Sequence, residues 1–168
     1  MSYEASDVVY RPPEDRPRLR FGNRGARINT ARALASLDDP LMEGFVSQLE
    51  EVNALADESP GFVWRLADES GNAATDIHAF DDERILVNMS VWESLDALRE
   101  FSYRGRHASL LRDRGKWFEP GSTQITMWWV AAGSIPSVED AKQKLELLEA
   151  NGPTAAAFTF KDRFPPPG

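Results

Sequence analysis

A single stretch, from Arg84 to Pro120, holds the side chains best suited to chemistry: Asn88, Ser90, Trp92, Tyr103, His107 and Trp117. Histidine titrates near neutral pH, so His107 can serve as a general acid or base. The chemistry this suggests is proton transfer to or from a bound phenol or enol. Asn88 and the Trp92 N–H would then stabilise the oxyanion that develops. The competing reading of His107 is a structural imidazole bonded to a strand. His78, the other of the two histidines, sits beside Asp76 near a turn and reads as structural. Two isolated histidines without cysteine do not assemble a zinc site, because the remaining ligands show no motif spacing. No Gly-rich dinucleotide-binding turn is present. An enzyme built on this chain is expected to use no cofactor, neither metal nor flavin. Haem is the alternative, since it needs only one axial ligand and His107 can supply it.

These residues need a scaffold, and alternation supplies the first piece. Ile85, Val87, Met89 and Val91 share one face of a strand, which is purely apolar and should meet helices. Leu86, Asn88, Ser90 and Trp92 share the other. Apolar bulk with a few placed polar groups describes a pocket wall. A half-solvated sheet face would look the same. Ser94 then caps a helix carrying Leu95, Leu98 and Phe101, and Gly105 bends or interrupts it before a further turn through His107 to Arg112.

The other elements follow in a regular order. Arg27 to Leu34 reads as a first strand. Asp39 caps a helix with Pro40 at its first position, and Leu41, Met42, Phe45, Val46, Leu49, Val52 and Leu55 continue it at helical spacing. Ser59-Pro60-Gly61 ends that helix, and Phe62 to Ala67 is a second strand. A polar turn at Asp68 to Asn72 and a short extended piece from Thr75 to Phe80 lead to the Asn88 strand. Gln124 to Ala131 is the fourth main strand, rich in β-branched and aromatic residues. Ser137 and Asp140 make a capping-box start for a last helix, which Asn151-Gly152-Pro153 stops. A short strand from Ala157 to Phe160 closes the series. The fold class is α+β: a ferredoxin-like βαββαβ domain with an added C-terminal helix. It is expected to span residues 25–161, between a flexible Arg/Pro-rich arm (residues 1–24) and a Pro-rich tail (residues 162–168).

Helices cover one face of such a sheet, so the other needs a ligand, a partner or a second copy. Of the five tryptophans, Trp128 and Trp129 must point to opposite sides of their strand. Trp64, Trp117 and Trp128 could line a site for a flat ring or a dimer interface, where aromatic residues are enriched. Arg65, between Trp64 and Leu66, could face an anionic or carbonyl group, or be partly exposed. A homodimer with the two sheets face to face is the expected assembly.

Composition narrows the classes. A 168-residue chain, 42% hydrophobic and 27% charged, is one domain's worth with a proper core. A net charge of −8 shows no basic footprint for nucleic acid. No run approaches the roughly 20 apolar residues of a membrane span, and the N-terminus lacks a signal-peptide core. The absence of cysteine fits a reducing compartment. The expectation is a cytoplasmic protein with no nucleic-acid or membrane partner.

The phrase NMSVWESLDALREFSYRGRH resembles the strand–Trp–helix–His signature of the antibiotic-biosynthesis-monooxygenase-like dimeric α/β-barrel superfamily. Further phrases, LDDPLMEGFV, SPGFVWRL, ATDIHAFDD, KWFEP, WWVAAG and NGPTAAAFTF, are similar to an uncharacterised bacterial family within it. The resemblance implies a dimeric barrel of ferredoxin-like units. It also implies a cofactor-independent monooxygenase acting on an aromatic or polyketide-type metabolite. The alternatives it brings are an isomerase or cyclase, or a non-catalytic dimer binding haem or a hydrophobic metabolite. Matched by position, the working residues implied are Asn88, Trp92 and His107. Asn29, Trp64, Arg65, Ser90, Tyr103, Trp117 and Trp128 would contact the substrate.

Overall fold

The alternating segment Ile85–Trp92 forms strand β3 and sits between two antiparallel neighbours. The computed structural model describes residues 22–67 and 77–168. The arm before Gly22, the turn at Asp68 to Asn72, Asp76 and the start of the extended piece at Thr75 lie outside the described residues. Strands β1 (Asn23–Arg32), β2 (Phe62–Arg65), β3 and β4 (Gln124–Ala131) form one sheet in the order β2-β3-β1-β4. All three pairings are antiparallel. With helix α1 (Glu43–Glu58) between β1 and β2, and α2 (Leu95–Tyr103) and α3 (Gly105–Asp113) between β3 and β4, the order is ferredoxin-like. Helix α4 (Val138–Asn151) is the C-terminal addition.

The helix starts follow their caps. Asp39 accepts from the Leu41 N–H at 2.9 Å, and Pro40–Met42 forms a 3-10 turn that leads into α1. Ser94 accepts from the Ala97 N–H at 3.1 Å. Ser137 and Asp140 close a reciprocal capping box on α4. Strand β1 begins four residues before the expected Arg27, at Asn23, because Asn23 and Arg24 pair with Ala131 and Val130. The expected strand Ala157–Phe160 is reduced to isolated bridges. Met127 and Phe158 exchange two backbone bonds, of 2.8 and 2.9 Å, and Thr154 pairs with Ala157.

The two faces divide as alternation requires; the apolar face meets a helix as expected, but the cover of the other face differs from expectation. Ala26, Ile28, Val87, Met89 and Val91 form one buried cluster with Ala141 and Leu145, so α4 covers the apolar face. Helices α1, α2 and α3 roof the opposite face, the one with Asn88, Ser90 and Trp92. The bare sheet face that motivated a face-to-face dimer is therefore covered within one chain. Alternation says which residues share a face, not which layer will lie on it. Among the described residues no helix is long and apolar enough to cross a membrane.

Candidate functional site

Strand register sets the floor of the site. Arg27 on β1 lies opposite Ser90 on β3, and Ser90 lies opposite Arg65 on β2. One step along, Asn29 faces Asn88. Helices α1 and α3 and the Trp117–Phe118 segment close over these rows and leave a cavity of about 180 Å³. Asn29, Arg65, Asn88, Ser90, Trp92, His107 and Trp117 all line it. Phe45, Leu49, Leu110 and Ile125 supply apolar wall.

Three expected substrate contacts are elsewhere. An irregularity in pairing between Phe62 and Trp64 places Trp64 against Val91, on the α4 side, where it is buried. Trp128, opposite Ala26, joins the same cluster. Tyr103, the last residue of α2, is 55% exposed and packs on Phe160. Trp129, on the face opposite Trp128, donates to the Phe164 carbonyl at 2.9 Å. His78 is exposed.

His107 is held where it can act. Its Nδ1 lies 2.8 Å from the Ser102 carbonyl oxygen. A carbonyl only accepts, so Nδ1 carries the proton and Nε2 keeps its lone pair. Burial lowers the pKa of the ring below the usual 6.5; the Ser102 bond opposes this, and the Arg27 charge adds to it. The imidazole is neutral at pH 7. Its ring tilts against Phe101 at 4.9 Å, and Phe101 stacks on Trp92 at 5.1 Å.

The bend that presents His107 is made at Gly105. Arg104 is extended, Gly105 takes φ +60°, and α3 restarts in a new direction. A side chain at φ +60° costs about 1–2 kcal/mol. Gly105→Ala is therefore expected to lower stability by about 1 kcal/mol or more, read as a shift in urea midpoint at unchanged m.

Trp92 is not free to serve as an oxyanion donor. Its Nε1–H already donates to Ser90 Oγ at 3.0 Å. The side chain is 1% exposed and wedged edge-on against Phe62 at 5.4 Å.

One buried cation of the site was not among the residues singled out from the sequence. Arg27 lines the cavity, is 6% exposed and donates from Nη1 to Ser102 Oγ at 3.0 Å. Burial lowers its pKa to about 10, so it stays cationic at neutral pH. Ser102 thus ties the cation and the base together, through its hydroxyl and its carbonyl. A sequence signal for Arg27 existed: it is two residues from Asn29, hence on the same strand face.

A shallow groove at the α2–α3 junction shares Phe101 and His107 with the cavity. Among the described residues no three His, Asp or Glu side chains converge as a metal site. Haem does not fit. The cavity is close to the roughly 150 Å³ that accommodates one benzene ring, and a porphyrin is several rings wide.

No curated protein matches the chain. Among solved structures it is similar to NE2512, a protein of unknown function from Nitrosomonas europaea, at 12% identity and TM-score 0.46 over 68% of this chain and 95% of that one. It is also similar to SnoaB, a cofactor-independent oxygenase from Streptomyces nogalater, at 16% identity and TM-score 0.45 over 68% of this chain and 99% of that one. Residues 25–168, from near the start of β1 to the last residue, match the domain of unknown function DUF3291, and the chain belongs to that family.

Proposed function

We propose that this chain is a small-molecule enzyme in which His107 Nε2 removes a proton from a phenol or enol bound in the cavity, the anion then reacting with dioxygen without metal or flavin. The observation that carries the reading is the shared anchorage of His107 and Arg27 on Ser102 at the wall of one apolar cavity. A neutral base beside a buried cation favours the anionic form of a bound acid. For an activated ring CH₂ the balance is simple. His107 takes one proton, carbon bonds to dioxygen, and the peroxide regains the proton. Loss of water from the hydroperoxide leaves a carbonyl holding one oxygen atom. The cavity's size favours a compound of about one ring over a fused polyketide. The site closes within one chain, so the reading needs no second copy.

A panel of one-ring phenols and cyclic 1,3-diketones, screened with an oxygen electrode and by deuterium exchange, tests this. Oxygen uptake that survives dialysis against a chelator and is lost in His107→Ala supports it. Proton exchange with no oxygen uptake identifies an isomerase or cyclase and overturns the oxygen step. Neither signal in any compound overturns the enzyme reading.

A further inference from the structure

We infer that the cavity takes a ligand bearing a carboxylate, held by the Arg27 guanidinium with Asn53 as a second donor. This deepens the acid–base reading and rests on it for the reacting part of the ligand.

The argument begins with a contrast inside one row of the sheet. Arg65 and Arg27 flank Ser90, both buried and both facing the cavity. Arg65 is answered by Asp57, which accepts from Nε at 2.7 Å and from Nη2 at 3.1 Å. Arg27 has no such answer. Among the described residues no Asp or Glu forms an ion pair with it, and its Nε–H has no hydrogen-bond partner. A buried guanidinium without a counter-charge is unfavourable by several kcal/mol unless something else supplies one.

A second orphan belongs to a residue of the same lining. Asn53, on α1, lines the cavity, and its Nδ2 is buried without a partner. Among the described residues the unmatched groups of the lining are therefore donors. Among the described residues the lining contains no Asp or Glu, although the whole chain carries a net charge of −8. Arg114 adds an exposed cation to the lining. The missing group must accept hydrogen bonds and carry negative charge. One buried cation and two free donors match a planar monoanion with two oxygens better than a phosphate dianion. With apolar walls and room for about one ring, the ligand class is a monocyclic carboxylic acid.

Calorimetric titration with benzoate, benzamide, phenol and phenyl phosphate tests the inference. Benzoate is expected to bind one per chain, about tenfold or more tighter than neutral benzamide. Arg27→Gln should abolish that preference, and Asn53→Leu should weaken benzoate several-fold. Should Arg27→Gln fail to fold, Arg27→Lys replaces it: charge retained and Nε–H lost, so benzoate weakens but stays ahead of benzamide. Equal binding of benzoate and benzamide, an unchanged preference in Arg27→Gln, tighter phenyl phosphate, or no saturable benzoate binding overturns the carboxylate site. His107→Ala should keep the benzoate preference. Benzoate binding in a protein that exchanges no substrate proton therefore refutes the acid–base reading alone.

Discussion

Replacing His107 with alanine is expected to lower kcat by about 10²–10⁴, the usual cost of removing a general base. The fold should survive, because the ring is only half-buried and, among the described residues, its hydrogen bond is the one to the Ser102 carbonyl. The pH profile gives an independent check. The free base is the active form, and burial holds its pKa below 6.5. Wild-type kcat/KM should therefore be flat at neutral pH and fall on the acid side, with its midpoint below 6.5. Stability shifts in the same sense. The unfolded chain binds the proton more readily, so the contribution is complete above the unfolded pKa and is lost as pH falls through the folded one. A wild-type acid limb centred above the ordinary histidine value, or one that persists in His107→Ala, refutes the assignment.

Trp92 should show the opposite behaviour. Trp92→Ala is expected to cost about 3–5 kcal/mol in unfolding free energy, the range for emptying a buried aromatic site. The indole contacts both Phe62 and Phe101 and is fully enclosed. Trp92→Phe keeps much of that packing and loses the bond to Ser90, about 1 kcal/mol. Once a substrate is in hand, Trp92→Phe should keep kcat within about tenfold, since the N–H it removes already serves Ser90. Urea unfolding of both variants, with kcat for the second, separates a packing role from a chemical one. A loss of about a hundredfold or more in folded Trp92→Phe would restore the indole as a catalytic donor.

Much of the scaffold was legible because its signals are local. The Ser94 cap, the Gly105 break and the capping box at Ser137 and Asp140 each act within a few residues. Strand alternation put Asn88, Ser90 and Trp92 on one face, where the cavity lies. What was not legible depends on register and layering. Trp64 and Arg65 are adjacent, and the irregularity that sends Trp64 to the α4 side has no local marker. Trp128 faced one side or the other with equal right until α4 was known to cover the apolar face. Arg27 carries no local mark of burial, since an arginine on a strand usually reaches water. Its burial follows from β1's place at the sheet centre, between β3 and β4, under the helices that roof that face. Ser102 gave no signal at all, since its importance lies in holding two residues that are distant in sequence.

The bridge between Met127 and Phe158 has a consequence for how the protein behaves in crowded solution. A sheet ends in two edges, and an uncovered edge is a template on which another chain can add a strand. Among the described residues the edges are β2 and β4. β2 presents only four residues, too few for a persuasive template. β4 presents eight, but Phe158 takes both backbone bonds at its middle and is itself fully enclosed. The segment after α4 therefore acts as a guard against self-association. A chain ending before Phe158 would lose that guard together with a fully enclosed core side chain that packs with Phe62 and Trp92, so it is expected to be both less stable and more prone to self-association.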